Sequence, residues 1–179
     1  MIRRSTVAAV SAALALLASC DSPVELPTGS ALDPRLDRAS ASPVHQVRGG
    51  GKLDVSNFDP ALPPETYAFT ASVDGDGNVS GQMQIRFSDP LATVHADVTC
   101  LAVSGSDAWL GIVVTRTDDA TLMPVGTQRW VRVQDNGEGA SAEPDRMGFF
   151  LPGGGAARCN ERRPVGMPFA WLHGNIQVR

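Results

Sequence analysis

The chain has 179 residues, 42% of them hydrophobic, with 15 Lys+Arg against 19 Asp+Glu and a formal charge of −4. That length suits a single domain with a core of useful size. An acidic chain whose only lysine is Lys52 lacks the clustered cations that neutralise phosphates, so it makes a poor nucleic-acid binder and a poor candidate for electrostatic attachment to anionic membranes.

The N-terminus reads as an export signal. Arg3 and Arg4 form a positive start, and Val7 to Leu17 is an uncharged Ala- and Leu-rich run. A bilayer needs about 20 apolar residues, so this shorter run describes a signal peptide rather than a membrane helix. It ends on Leu17-Ala18-Ser19-Cys20. This box resembles the bacterial lipoprotein signal: a branched aliphatic residue, two small residues, then cysteine. The resemblance implies cleavage before Cys20 and acylation of its thiol and new amino group. The bland alternative is an ordinary signal peptide with Cys20 as an incidental residue. Arg3-Arg4 also has the look of a twin-arginine signal, but the following Ser-Thr-Val fits that pattern poorly.

Removing residues 1–19 removes two arginines and no acidic residue, leaving 13 basic against 19 acidic side chains and a formal charge of −6. Asp21 to Pro43 contains Pro23, Pro27, Pro34 and Pro43 and no aromatic residue. Such a segment buries too little apolar surface to offset its conformational entropy. It reads as a flexible tether of roughly 25–30 Å r.m.s. span. The expected organisation is residues 1–19 as signal, 20–43 as lipidated cysteine and tether, and 44–179 as the folded domain.

From Val44 the pattern changes to period two. Val44 to Arg48 is a short strand stopped by Gly49-Gly50-Gly51, and Asn57 to Pro64 is a Pro-rich loop. Thr66 to Val73 places Tyr67, Phe69, Ala71 and Val73 on one face. Val79 to Phe87 does the same with Val79, Gly81, Met83, Ile85 and Phe87, leaving Ser80, Gln82, Gln84 and Arg86 opposite. With Asp74-Gly75-Asp76-Gly77-Asn78 between them, these two runs make a hairpin with one face in the core and one in water. Thr93 to Val103 is the longest strand, with Val94, Ala96, Val98, Cys100 and Ala102 facing one way. Ala108 to Thr115 is apolar on both faces, as a central strand would be. Thr127 to Gln134, Arg146 to Leu151 and Phe169 to Val178 complete the set. Pro152 to Pro168 reads as a Gly-, Pro- and Arg-rich loop.

About eight strands with close turn signals and no convincing helix predict an all-β fold: a single antiparallel meander, closed as a small barrel or packed as a sandwich. An immunoglobulin arrangement is a lesser alternative, because Trp109 follows Cys100 but Ala157 stands where the corner tyrosine belongs. If Cys20 is lipidated, Cys100 and Cys159 remain as a pair, and export to an oxidising compartment makes a disulfide the default. Two buried thiols or a metal site are the alternatives, although no histidine stands at ligand spacing.

Candidate chemistry is sparse. Asp74, Asp76 and Asn78 match the opening of a calcium loop, but Val79 and Ile85 occupy the positions of its glycine and bidentate glutamate, so a hairpin turn is preferred. The acidic loop Asp135-Asn136-Gly137-Glu138-Gly139, with Glu143 and Asp145, is the better calcium candidate, with Asp135, Glu138 and Asp145 as ligands. Its bland reading is a solvated loop opening on an Asx turn. No other cofactor is expected. His95 and Asp97 share a strand face without a third ligand. Gly139-Ala140-Ser141-Ala142 begins like a nucleophile elbow, but Glu143 replaces the required glycine and no strand-to-helix turn surrounds it. Trp109, Trp130 and Trp171 read as core residues, or else as a ligand or glycan platform if they face outward together or line a barrel mouth.

Val98-Thr99-Cys100-Leu101, Asp135-Asn136-Gly137-Glu138, Asp145 and the terminal Gly174-Asn175-Ile176-Gln177-Val178 resemble an uncharacterised group of exported bacterial β-rich domains. The resemblance implies an extracytoplasmic β domain and brings no activity with it. The expectation is a lipoprotein of the cell envelope, held to the membrane by its N-terminal lipid, whose domain is a non-catalytic binding or structural module. The alternatives are a small barrel carrying an apolar ligand, and an unrecognised hydrolase or metal-dependent enzyme.

Overall fold

The structure is a computed structural model that describes residues 43–139 and 141–179; the signal, Cys20 and the rest of the tether lie outside the described residues. Nine strands run antiparallel: β1 (Pro43–Leu53), β2 (Glu65–Asp74), β3 (Val79–Ser88), β4 (Leu91–Ser104), β5 (Asp107–Thr117), β6 (Gln128–Gln134), β7 (Arg146–Met147), β8 (Leu151–Pro152) and β9 (Phe169–Val178). A five-residue helix, α1 (Ala156–Asn160), sits between the last two.

Each of β1 to β6 except the first pairs with its predecessor, as expected for a meander, and β9 returns to pair with β1. The circuit closes through β7, which bridges β6 and β9 with two residues on each side. The sheet is therefore ring-like, but that narrow step keeps it from being a regular barrel. Alternating apolar side chains from β1 to β6 and β9 fill the inside, among them Val47, Tyr67, Phe69, Met83, Ile85, Val94, Leu110, Ile112, Val131, Val133, Trp171 and Ile176. The interior is a packed core.

Arg146 to Leu151, expected as one strand, instead forms two separate two-residue pieces, β7 and β8, joined by residues 148–150. Two further local features differ from expectation. First, Gly49-Gly50-Gly51 does not stop β1; the strand continues through it to Leu53. Here β1 and β9 approach so closely that a Cβ on Gly51 would overlap the His173 carbonyl oxygen, and one on Gly174 would overlap that of Gly50. The triplet permits a close strand crossing instead of ending a strand.

Second, the face of β4 reverses part-way. Val94, Ala96 and Val98 point into the ring, but the register shifts between Val98 and Cys100. Beyond that bulge Leu101 belongs to the interior core, while Cys100 and Ala102 turn to the outside, contrary to the uniform alternation expected. The same device acts on β9, where a shift opposite Lys52–Leu53 places both Trp171 and Ile176 inside and leaves Leu172 out.

The reversal creates a second, smaller core on the outer face. Cys100, Ala102, Trp109, Trp130 and Cys159 pack together there, with Leu151 and Val165 against them. The covering layer is the stretch read as a plain loop, which contains α1. It is tied down by the Cys100–Cys159 disulfide, with Cα atoms 6.0 Å apart and a sequence separation of 59 residues. It is fixed further by Trp109 Nε1 donating to the Arg163 carbonyl at 2.8 Å and by Arg132, which pairs with Asp107 at 2.9 Å and donates to the Val165 carbonyl at 3.0 Å. This explains why β5 is apolar on both faces: Ala108, Leu110, Ile112 and Val114 enter the ring, and Trp109 faces the outer layer. All three tryptophans are core residues, at 3–5% exposure.

Gly111 pairs with Cys100 across the β4–β5 ladder and with Trp130 across β5–β6. A Cβ at this position would overlap Cys100 Sγ. Gly111→Val should therefore leave Cys100 and Cys159 open to alkylation under conditions that close the bridge in the native chain, as read by mass spectrometry. Breaking the bridge should lower the unfolding free energy by about 4 kcal/mol through loop entropy, measured by denaturant titration.

Candidate functional site

A broad concavity lies on the outer face of the ring, across β9, β1, β2, β3 and β4. Strand register builds it. One cross-strand row runs Asn175–Gly50–Ala68–Gln84–His95, and the next runs Gln177–Arg48–Thr70–Gln82–Asp97. At about 4.8 Å per strand, each row is roughly 19 Å long. Gly50 and Ala68 occupy the middle of the first row, and their small size leaves a depression walled by longer polar side chains. The groove has a volume of about 630 Å³.

Its β9 wall is held in place by side chains. Gln177 Nε2 donates to Glu138 Oε1 at 2.6 Å, and Asn175 Nδ2 donates to the same oxygen at 3.0 Å. Arg48 Nε donates to Gln177 Oε1 at 2.7 Å, so both ends of that amide are engaged. On the far side, His95 Nε2 lies 2.6 Å from Arg116 Nη2. Gln82, Gln84 and Thr70 stand exposed between these walls. The lining offers amides and hydroxyls, with Arg48 and Asp97 as opposite charges in the same row. Such a surface suits a polar, hydrogen-bonding partner. His95 and Asp97, considered as a metal or polar pair, share the outer face as expected and here form part of this wall.

Asp135, Glu138 and Asp145, the expected calcium ligands, all turn toward β9 but engage different donors along it. Asp145 is 5% exposed, the one buried polar or charged residue among those described. Its Oδ1 accepts the Asn136 N–H at 2.8 Å and its Oδ2 accepts the Ile176 N–H at 2.5 Å. Its carbonyl accepts the Trp171 N–H at 3.0 Å. Asp135 Oδ1 accepts the Gly137 N–H at 2.8 Å in the expected Asx turn, and its Oδ2 accepts the Val178 N–H at 3.0 Å. These carboxylates thus serve backbone donors of β9 where no full strand lies alongside to do so. Among the described residues no three His, Cys, Asp or Glu side chains stand close enough together to hold a metal ion.

The Asp74 cluster is the hairpin turn expected of it. Asp74 Oδ1 accepts the N–H groups of Asp76 and Asn78 at 3.0 and 2.9 Å, and Oδ2 accepts from Asn78 Nδ2 at 2.9 Å. Ser141 lies exposed on the acidic loop. Comparison with protein-family models, with curated proteins and with solved structures found no match to this chain.

Burial raises the Asp145 carboxyl above the ordinary carboxylate range against the lowering effect of its two N–H donors, and the nearby charges of Asp135 and Glu138 push the same way. Burial also raises Glu65, against the hydrogen bond it accepts from Tyr67. Hydrogen bonds hold Asp54, Asp74 and Asp119 below the ordinary value. A group raised in the folded state stabilises increasingly as pH falls through its folded pKa, whereas a lowered group loses its contribution below its unfolded value of 3.8. Stability by urea titration should therefore rise on mild acidification from neutrality and fall again below about pH 4. Asp145→Asn should flatten the rise. It should also cost about 1–3 kcal/mol at neutral pH, because one of two backbone donors then meets an amide NH₂.

Proposed function

We propose that this chain is a lipoprotein of the cell envelope, anchored through acylated Cys20, whose β domain is a non-catalytic binding module that engages its partner along the outer groove. The observation that carries the binding reading is the contrast between inside and outside. The ring is filled by its own side chains, while the outer face presents a preorganised polar groove some five strands wide. A filled interior argues against the alternative of a barrel carrying an apolar ligand within it. The Cys100–Cys159 disulfide fits an oxidising, extracytoplasmic setting. The anchoring rests on Arg3-Arg4, the short apolar run and the Leu17-Ala18-Ser19-Cys20 box.

Two measurements test this reading. Mass spectrometry of the mature protein should find residue 20 as an acylated N-terminus, and Cys20→Ser should move the protein from the membrane to the soluble fraction; an unmodified Cys20 thiol contradicts the anchor. A photo-cross-linking residue at Gln84, in the groove, should give a discrete adduct in whole cells. The same residue at exposed Gln128, on the rim of the ring, should not. Equal labelling at both positions, or none at Gln84, contradicts the groove.

A further inference from the structure

A second concavity differs in character from the polar groove and is independent of it. It has a volume of about 590 Å³ and is lined by Phe149, Leu151, Val165, Gly166, Met167 and Pro168, without a charged side chain. It lies where the disulfide-tied outer layer meets the β6–β7–β8 part of the ring. Phe149 is 44% exposed at its edge. Phe58, 68% exposed on the β1–β2 loop, packs edge-on against Phe149 at 6.2 Å and extends the apolar surface. Phe149 and Phe58 thus form a small exposed apolar patch continuous with the groove.

An arginine stands at the wall of this groove in an otherwise acidic protein. Arg146 Nη1 donates to the Met167 carbonyl of the groove wall at 3.4 Å. Arg162 and Arg163 lead directly into Val165 through Pro164. The three ion pairs found among the described residues leave Arg146 and Arg162 without a carboxylate, and Glu161 is shared between Arg158 and Arg163. Arg146 comes from β7 and the others from the outer layer.

An apolar slot with a cation at its margin is complementary to an amphiphile with an anionic head. We propose that this groove binds a long-chain fatty acid, with the acyl chain along Phe149, Leu151, Val165 and Met167. The carboxylate is held by Arg146, whose guanidinium stands at the groove wall and can bind a carboxylate bidentately. A volume of this size lies within the range of small-ligand sites. The inference does not depend on the polar groove or on lipidation of Cys20.

Bromostearate is a direct probe, because Leu151 and Val165 pack on the Trp109–Trp130 cluster and bromine quenches tryptophan emission at short range. Titration of the full mature protein, with its disulfide intact, should give saturable quenching at micromolar probe. Gly166 is exposed and a Cβ there meets nothing within 4 Å, so Gly166→Phe should fill the groove without disturbing the fold and abolish the quenching. Arg146→Gln should weaken binding at least tenfold, as should replacing bromostearate by the neutral bromostearyl alcohol. Quenching that fails to saturate below the concentration at which the probe self-associates overturns the proposal. So does quenching that survives Gly166→Phe, or equal affinity for acid and alcohol.

Discussion

The structure depends on how a ring of strands is closed when its last step is only two residues wide. On the side of β9 that faces β7, backbone N–H groups after Ala170 have no strand beside them, and buried donors without acceptors are costly. Asp145 meets this constraint. Its carboxylate takes the Ile176 N–H, its carbonyl takes the Trp171 N–H, and its second oxygen closes its own loop through Asn136. Asp135 repeats the device one strand step on, at Val178. Side-chain oxygens from one loop stand in for the missing neighbour, with partial desolvation of a charge as the cost.

The same loop positions the outer groove. Glu138 follows three residues after Asp135 and fixes Asn175 and Gln177, the β9 wall, from the other side of the strand. Alternation along β9 links the two roles: Ile176 and Val178 present their N–H groups to the carboxylates of Asp145 and Asp135, while Asn175 and Gln177 face outward. Ring closure and groove geometry are therefore one arrangement. The second constraint is the bulge at Thr99. It turns Cys100 outward and so provides the anchor by which residues 151–166 are laid over β4 and β5. Gly111 provides the space that the bridge needs.

Much of the fold was legible in the sequence because period-two alternation is a local signal. Tyr67, Phe69 and Ala71 on one strand, and Met83 and Ile85 on the next, were readable as a core face, and the turn at Asp74–Asn78 as a hairpin. The pairing of Cys100 with Cys159 followed from counting. Bulges were not legible. The reversal after Val98 depends on one residue being unpaired in a ladder, and no residue type at Thr99 announces it. The glycine triplet was misread for the same reason, since its role lies in the strand that crosses it. The α1 turn was missed because five residues without a capping side chain carry almost no local signature.

The site was less legible than the fold. Gln82 and Gln84 were visible as a solvent face, but their alignment with Thr70, Arg48 and Gln177 is a matter of register across five strands, which the sequence does not print. The acidic loop was correctly singled out as dense in carboxylates. Its carboxylates prove to accept backbone donors from a strand some thirty residues further on, at separations of 31 and 43 residues, beyond the reach of any spacing rule. The small core beneath the outer layer likewise joins Trp109, Trp130 and Cys159 through tertiary packing alone.

Amide hydrogen exchange at Ile176 and Val178 tests the closure most directly. If carboxylates replace a neighbouring strand, both amides are strongly protected in the native chain, and Asp145→Asn accelerates exchange at Ile176 by about ten- to a hundredfold while leaving the β2–β3 hairpin unchanged. Unaltered protection at Ile176 in that variant, or fast exchange there in the native chain, contradicts the account.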